Sequence, residues 1–113
     1  VSLASKTVSF EEFSKIDMRI GRILEAEPVP NSKKLLKLKI DLGGGVVKQS
    51  VAGLADHYKP EELKSKLVAV VTNLAPKKIF GLESEVMLLA AVDGDKVSIL
   101  QPDKQTKEGS KIT

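Results

Sequence analysis

Cysteine and tryptophan are absent from this sequence, histidine occurs once (His57), and aromatic residues make up only 4% of it. Without cysteine there is no disulfide framework and no thiolate metal site, and a reducing compartment is permitted. One histidine among scattered carboxylates gives no cluster at metal-ligand spacing. A Ser-His-acid set would have to use His57, and no serine lies in a Gly-x-Ser-x-Gly turn. No enzyme is expected. Long apolar runs are also missing: the longest, Val86 to Val92, is far short of a membrane span. The opening VSLASKTVSF lacks a charged region followed by an apolar run, so it is not a secretory signal. It also lacks an initiating methionine, which points to processing or to a domain cut from a longer polypeptide.

What is present is ordinary for a globular chain: 113 residues, 42% hydrophobic and 29% charged, enough for one domain with one core. The net charge of +3 is a mild surplus, but it is unevenly spread. Between Pro28 and Lys48 five lysines (Lys33, Lys34, Lys37, Lys39, Lys48) face only Asp41. Acidic pairs lie elsewhere, at Glu11-Glu12, Glu61-Glu62, Glu83/Glu85 and Asp93/Asp95.

The pattern along the chain is mainly that of strands. Ser9 and Glu12 form a capping box, with Val8 and Phe13 at the staple positions, so a short helix starts at residue 10 and is read as a structural lid. From Asp17 to Glu27, Met18, Ile20, Leu24 and Ala26 share one face, and Gly21-Arg22 disturbs the phase, as a bulge would. After the turn cluster of Pro28, Pro30, Asn31 and Ser32, Leu36, Leu38, Ile40 and Leu42 alternate strictly with Lys37, Lys39 and Asp41. Gly43-Gly44-Gly45 turns this strand into Val46–Ala52. Pro60 then opens a short helix with acids in its first turn. Leu67–Thr72 and Met87–Val92 read as continuous apolar strands, and Asp93-Gly94-Asp95 leads into Lys96–Leu100. A curved sheet of five or six strands with a helix after the third fits a small closed barrel, of which the OB-fold is the common form. Periodicity by itself leaves other small β folds open.

Two segments carry candidate chemistry. Asn31-Ser32-Lys33-Lys34 is a polar, basic loop between strands, suited to phosphate contacts. Lys37 and Lys39 either extend that patch or form the solvated face of an amphipathic strand, and the second reading is favoured. Residues 74–86 join the strand ending at Asn73 to the one beginning at Met87 and would cover the barrel's mouth. There Pro76 stiffens the cover, Gly81 lets it turn, and Lys77 and Lys78 sit at the rim. Phe80 and Met87 read as core or lid residues rather than base contacts. Glu83 and Glu85 partly neutralise the loop. The triple glycine is no phosphate loop, because no Gly-Lys-Ser/Thr follows.

The stretches NSKKLLKLKIDLG, SVAGLADHYKPEELKSKLVAVVTNLAPKKIFGLESEVMLLAA and VSILQPD with GSKI resemble the tRNA-binding OB-fold domain family. Its members are domains or β subunits of methionyl-tRNA synthetases, free-standing tRNA-binding proteins, export-related chaperones and synthetase-associated cofactors. The resemblance runs from Val8 to Ile112 and implies a single domain over residues 1–113. The implied fold is a mainly-β, five-stranded OB barrel with a short helix between strands 3 and 4, plus terminal extensions that serve dimerisation. The implied partner is tRNA, recognised through its shape and corner. A methionyl-tRNA synthetase catalytic domain or subunit, a homodimer, a cytoplasmic location, no membrane and no cofactor follow from the same likeness. Carried over residue by residue, the tRNA-binding face comprises Asn31, Ser32, Lys33, Lys34, Ser50, Asn73, Lys77, Lys78, Ser84 and Met87.

The sequence departs from the family at two places. Val86 stands where a glycine usually precedes the Met, and a β-branched residue does not adopt positive φ cheaply. Ala75 stands where many members have Lys. Both departures point to weaker or altered RNA binding. Two other readings stay open: a protein-binding homodimer of the export-chaperone type, and a mainly dimerising domain.

Overall fold

The computed structural model describes residues 6–113. Its first element, α1 (Phe10–Phe13), begins with the expected capping box: Glu12 N donates to Ser9 Oγ at 3.0 Å, and Ser9 N donates to Glu12 Oε1 at 3.2 Å. None of its residues is buried. A single turn with Phe10 81% exposed is no lid, so that expectation is corrected.

β1 (Met18–Pro28) is the long strand on which the barrel is built. It pairs antiparallel with β2 (Leu36–Asp41), and the register shifts between Ile23 and Glu25. The bulge therefore falls at Leu24 rather than at Gly21-Arg22, and the phase change turns Ile23 fully into the core and leaves Leu24 43% exposed. Gly21 serves close packing instead. A Cβ there would collide with the Ile40 side chain, so its absence lets two strands approach. Arg22 points to the far end of the chain, donating to Glu108 at 2.5 Å and to the Ser65 carbonyl at 2.7 Å.

β2 alternates as its sequence requires, with Leu36, Leu38 and Ile40 inside. The glycine turn delivers β3 (Val47–Ala52), whose Ser50 pairs with Leu38. α2 (Pro60–Leu63) places Leu63 wholly in the core, and β4 (Leu67–Val71) is buried along its whole length. Next come a small hairpin, β5 (Lys77–Ile79) and β6 (Leu82–Ser84), then β7 (Met87–Leu88), β8 (Ala90–Asp93) and β9 (Lys96–Ile99). The apolar run from Met87 to Val92 is not one strand. β7 pairs with β4, while β8 leaves to pair with β9, the change coming at Leu89.

The main sheet runs β3-β2-β1-β4-β7, with α2 between β3 and β4 in the chain. It curls until Glu85 N reaches the Gln49 carbonyl at 2.8 Å, nearly closing the barrel. This is the mainly-β, five-stranded OB-type barrel that the sequence implied. The core gathers Ile23, Leu38, Ile40, Leu63, Val68 and Val70 with Val86, Leu88 and Ile99. No helix of the described residues is long and apolar enough to cross a membrane.

The C-terminal tail lies along the part of β1 that β2 does not reach. Ile20 N donates to the Ser110 carbonyl at 2.9 Å, Gly109 N to Ile20 at 2.7 Å and Ile112 N to Met18 at 2.9 Å. Two carboxylates at this junction titrate below their ordinary range. Asp17 is held down by its hydrogen bond from Arg19 and then by Thr72, and Glu108 by its hydrogen bond from Arg22. A carboxylate with a lower pKa folded than unfolded stabilises the fold fully at neutral pH, and that contribution is lost as pH falls through and below about 4. Glu108→Gln is therefore expected to be less stable than wild type at pH 7, with the gap narrowing toward pH 3. Denaturant unfolding at a series of pH values checks this, and a gap constant with pH would contradict it.

Candidate nucleic-acid interface

The loop from Val29 to Leu35 is shaped by local bonds. Ser32 N donates to the Val29 carbonyl at 3.1 Å, and Val29 N to Leu35 at 3.2 Å. Ser32 Oγ accepts from Leu35 N at 3.2 Å and Lys34 N at 3.4 Å, while Asn31 takes a left-handed φ of 67°. With the backbone so occupied, Lys33 and Lys34 are left exposed.

The β5–β6 hairpin is tied to β3, the open edge of the sheet. Gln49 N donates to Glu85 Oε1 at 3.0 Å, Val51 N to Ser84 Oγ at 3.1 Å, and Gln49 Nε2 to the Glu83 carbonyl at 2.9 Å. Side chains thus satisfy edge donors that a neighbouring strand would otherwise take. Glu85 also pairs with Lys48 at 3.6 Å. Glu83 lies opposite Lys78 in the hairpin register.

Two clefts flank this hairpin, and Ile79 lines both. One, of about 490 Å³, is lined by Asn31, Ser32, Lys33 and Lys34 together with Phe80. The second, of about 370 Å³, is lined by Ser50, Lys77, Ser84 and Met87 with Leu74, Ala75 and Val86. The fold thus brings eight of the ten residues singled out in sequence to the walls of two adjoining clefts. Lys78 is exposed on the hairpin between them. Asn73 stands apart: its Oδ1 accepts from Asp17 N at 2.9 Å and its Nδ2 donates to the Lys15 carbonyl at 2.6 Å, so it fixes the α1–β1 junction.

Among the described residues, Lys33, Lys34, Lys77 and Lys78 form no ion pair. Lys37 does, with Glu27 at 3.8 Å, and Lys39 lies opposite Glu25 in register. Lys37 and Lys39 alternate along β2 with the buried Leu36, Leu38 and Ile40, on the opposite face of the strand.

Sequence reasoning misplaced two residues and missed a third. Phe80 is 62% and Met87 45% exposed, so neither is a core residue, and Met87 lines a cleft, as the family resemblance implied. The signal for Phe80 was the adjacent Gly81, a turn residue beside which a side chain is left exposed. Gln49, which anchors the hairpin, carried no local signal. Val86 is 3% exposed and packs in the core, and positive φ among non-glycine described residues occurs only at Asn31, Ser65 and Phe80. The backbone before Met87 therefore has no need of glycine here. No group of three or more metal-ligating side chains is present among the described residues.

Residues 18–111 match the family model described as "Putative tRNA binding domain". The chain belongs to this family. Methionine–tRNA ligase from Pyrococcus furiosus is 57% identical over 105 residues, 93% of this chain and 14% of that protein. The ligase from Thermotoga maritima is 50% identical over all 113 residues, 18% of its own length. The chain thus spans less than a fifth of these relatives. Among solved structures, a MetRS-related protein from Pyrococcus horikoshii superposes with a TM-score of 0.90 at 35% identity, covering 96% of this chain and 100% of that one. The chaperone CsaA from Bacillus anthracis gives 0.86 at 36% identity with the same coverage. This tRNA-binding domain is related both to a part of methionine–tRNA ligases and to CsaA.

Proposed function

We propose that the chain is a noncatalytic, single-domain module that binds tRNA by its structure, as an appended domain or β subunit of methionyl-tRNA synthetase or as a free-standing relative. The observation that carries this reading is the pair of basic segments, 33–34 and 77–78, gathered around one hairpin without ionic partners among the described residues. Lysines so placed meet phosphates, while the polar groups of Asn31, Ser32, Ser50 and Ser84 and the thioether of Met87 line the clefts where sugar and base would lie. Asn73, bonded to Asp17 and Lys15, lies outside these clefts. Such a module raises a synthetase's effective affinity by adding a tethered second contact.

The test is the affinity of this chain for tRNA across a range of salt. Phosphate-led binding gives log K falling with log salt at roughly −0.7 to −0.9 per contact. Absence of salt-sensitive binding near physiological ionic strength overturns the reading. A client-protein role of the chaperone type would then be the better account, supported by the likeness to CsaA.

The same reading includes a homodimer. Val8, Phe10, Phe13 and Ile16 are all exposed around α1, an apolar surface suited to burial against a second copy. Sedimentation velocity is expected to give a dimer that Phe10→Ser shifts toward monomer. A wild type at monomer mass across micromolar concentrations would remove this part of the proposal.

A further inference from the structure

The tip of the β5–β6 hairpin is occupied by the wrong kind of residue for a turn. Ile79 pairs with Leu82, which leaves Phe80-Gly81 as a two-residue loop with φ of 51° and 78°. Such turns favour Asn, Asp or Gly at the first position, because positive φ drives a Cβ toward the backbone. A bulky aromatic there is a genuine outlier. Packing does not explain it, since Phe80 is 62% exposed. A strained backbone carrying an exposed aromatic ring points to a use outside the fold.

Its setting says which use. Phe80 lines the same cleft as Asn31 to Lys34, with both lysines exposed and unpaired among the described residues. An aromatic face beside phosphate-binding cations is the arrangement that receives an unpaired nucleotide, the ring stacking on the base and the ammonium groups meeting its backbone. Paired bases offer no free face to such a ring. We infer that Phe80 is a stacking platform for an unpaired nucleobase of bound RNA, so that the module selects RNA with an exposed loop over continuous duplex. The inference rests on the RNA-binding reading above and deepens it. The clash-prone turn is retained because Gly81 absorbs the chain reversal and the anchors at Gln49 and Val51 hold the hairpin from its base.

The experiment compares two probes, a hairpin RNA with an unpaired loop and a fully paired duplex of matched length, against wild type, Phe80→Asn, Phe80→Leu and Phe80→Trp. Asn suits the turn better, so Phe80→Asn is expected to melt at the same or a higher temperature. Its affinity for the looped RNA is expected to fall about 5- to 150-fold, the range of one lost base–aromatic stack. Phe80→Leu, apolar without a π face, falls likewise, and Phe80→Trp retains binding. Duplex affinity stays the same throughout. Equal affinity of Phe80→Asn and wild type for the looped RNA overturns the inference, as does an equal loss on both probes. In either case salt-sensitive binding by wild type would still stand. If wild type binds neither probe, the RNA-binding reading itself fails and takes this inference with it.

Discussion

Lys33→Ala/Lys78→Ala is expected to bind tRNA about 15- to 30-fold more weakly than wild type at 0.15 M salt, with a log–log salt slope shallower by about one to two units. The figure follows from counterion release: each lost phosphate contact removes roughly 0.7 to 0.9 from the slope, which at that salt is about fourfold to sixfold in affinity. The choice of residues rests on geometry. Lys33 comes from the loop after β1 and Lys78 from the β5–β6 hairpin, and neither has an ionic partner among the described residues. Lys37→Ala/Lys39→Ala is the matched control. It removes the same charge, but from β2, at residues that line neither cleft and lie outside the hairpin. Its slope is expected to stay near that of wild type. Equal effects of the two double variants would show that net charge matters and the cleft does not.

Gly109→Ala is expected to loosen the C-terminal tail from the barrel. Gly109 has φ of +90°, and a Cβ there would lie 2.5 Å from the Leu42 carbonyl oxygen. The contact is reciprocal, since a Cβ on Gly43, φ +83°, would lie 2.5 Å from the Glu108 carbonyl oxygen. Here the turn after β2 and the tail meet backbone to backbone, and neither can yield as a flexible side chain would. Strain at one such site costs about 1 to 3 kcal/mol, and forcing the strands apart adds the loss of the tail's bonds to Ile20 and Met18. Gly94→Ala supplies the comparison: its φ is +58°, but nothing lies near its would-be Cβ, so only about 1 to 2 kcal/mol of backbone cost applies. Denaturant unfolding reads the difference in stability, and hydrogen exchange at the Ile20 and Ile112 amides reads release of the tail. Unaltered exchange at both amides in Gly109→Ala would mean the tail is held by something else.

The sequence by itself determined the parts of this protein that depend on neighbours a few residues apart. Strict alternation settled which side of β2 is core, because a strand's side chains change face at every residue. The glycine run settled the β2–β3 turn, Pro60 the start of α2, and Ser9 with Glu12 the start of α1, since each acts through its own backbone angles or a bond spanning three residues. The linear order of segments also carried the family, and with it the barrel.

Tertiary structure alone decided matters that depend on partners distant in the chain. The bulge fell at Leu24 rather than Gly21 because register is set by β2, and Gly21 answered to the Ile40 side chain instead. Met87 to Val92 split because β7 and β8 found different partners, β4 and β9. Asn73, which the family resemblance put on the tRNA-binding face, has its amide bonded to the Lys15 carbonyl, 58 residues away. Which lysines carry an ion pair was likewise decided by tertiary contacts, with Glu27 drawn to Lys37 and Glu85 to Lys48, while Lys33 was left unpaired at a cleft and Lys78 on the hairpin. Phe80 was legible as hydrophobic but not as exposed. A side chain's composition states what it prefers to bury, and only the closed barrel fixes how many of those preferences can be met.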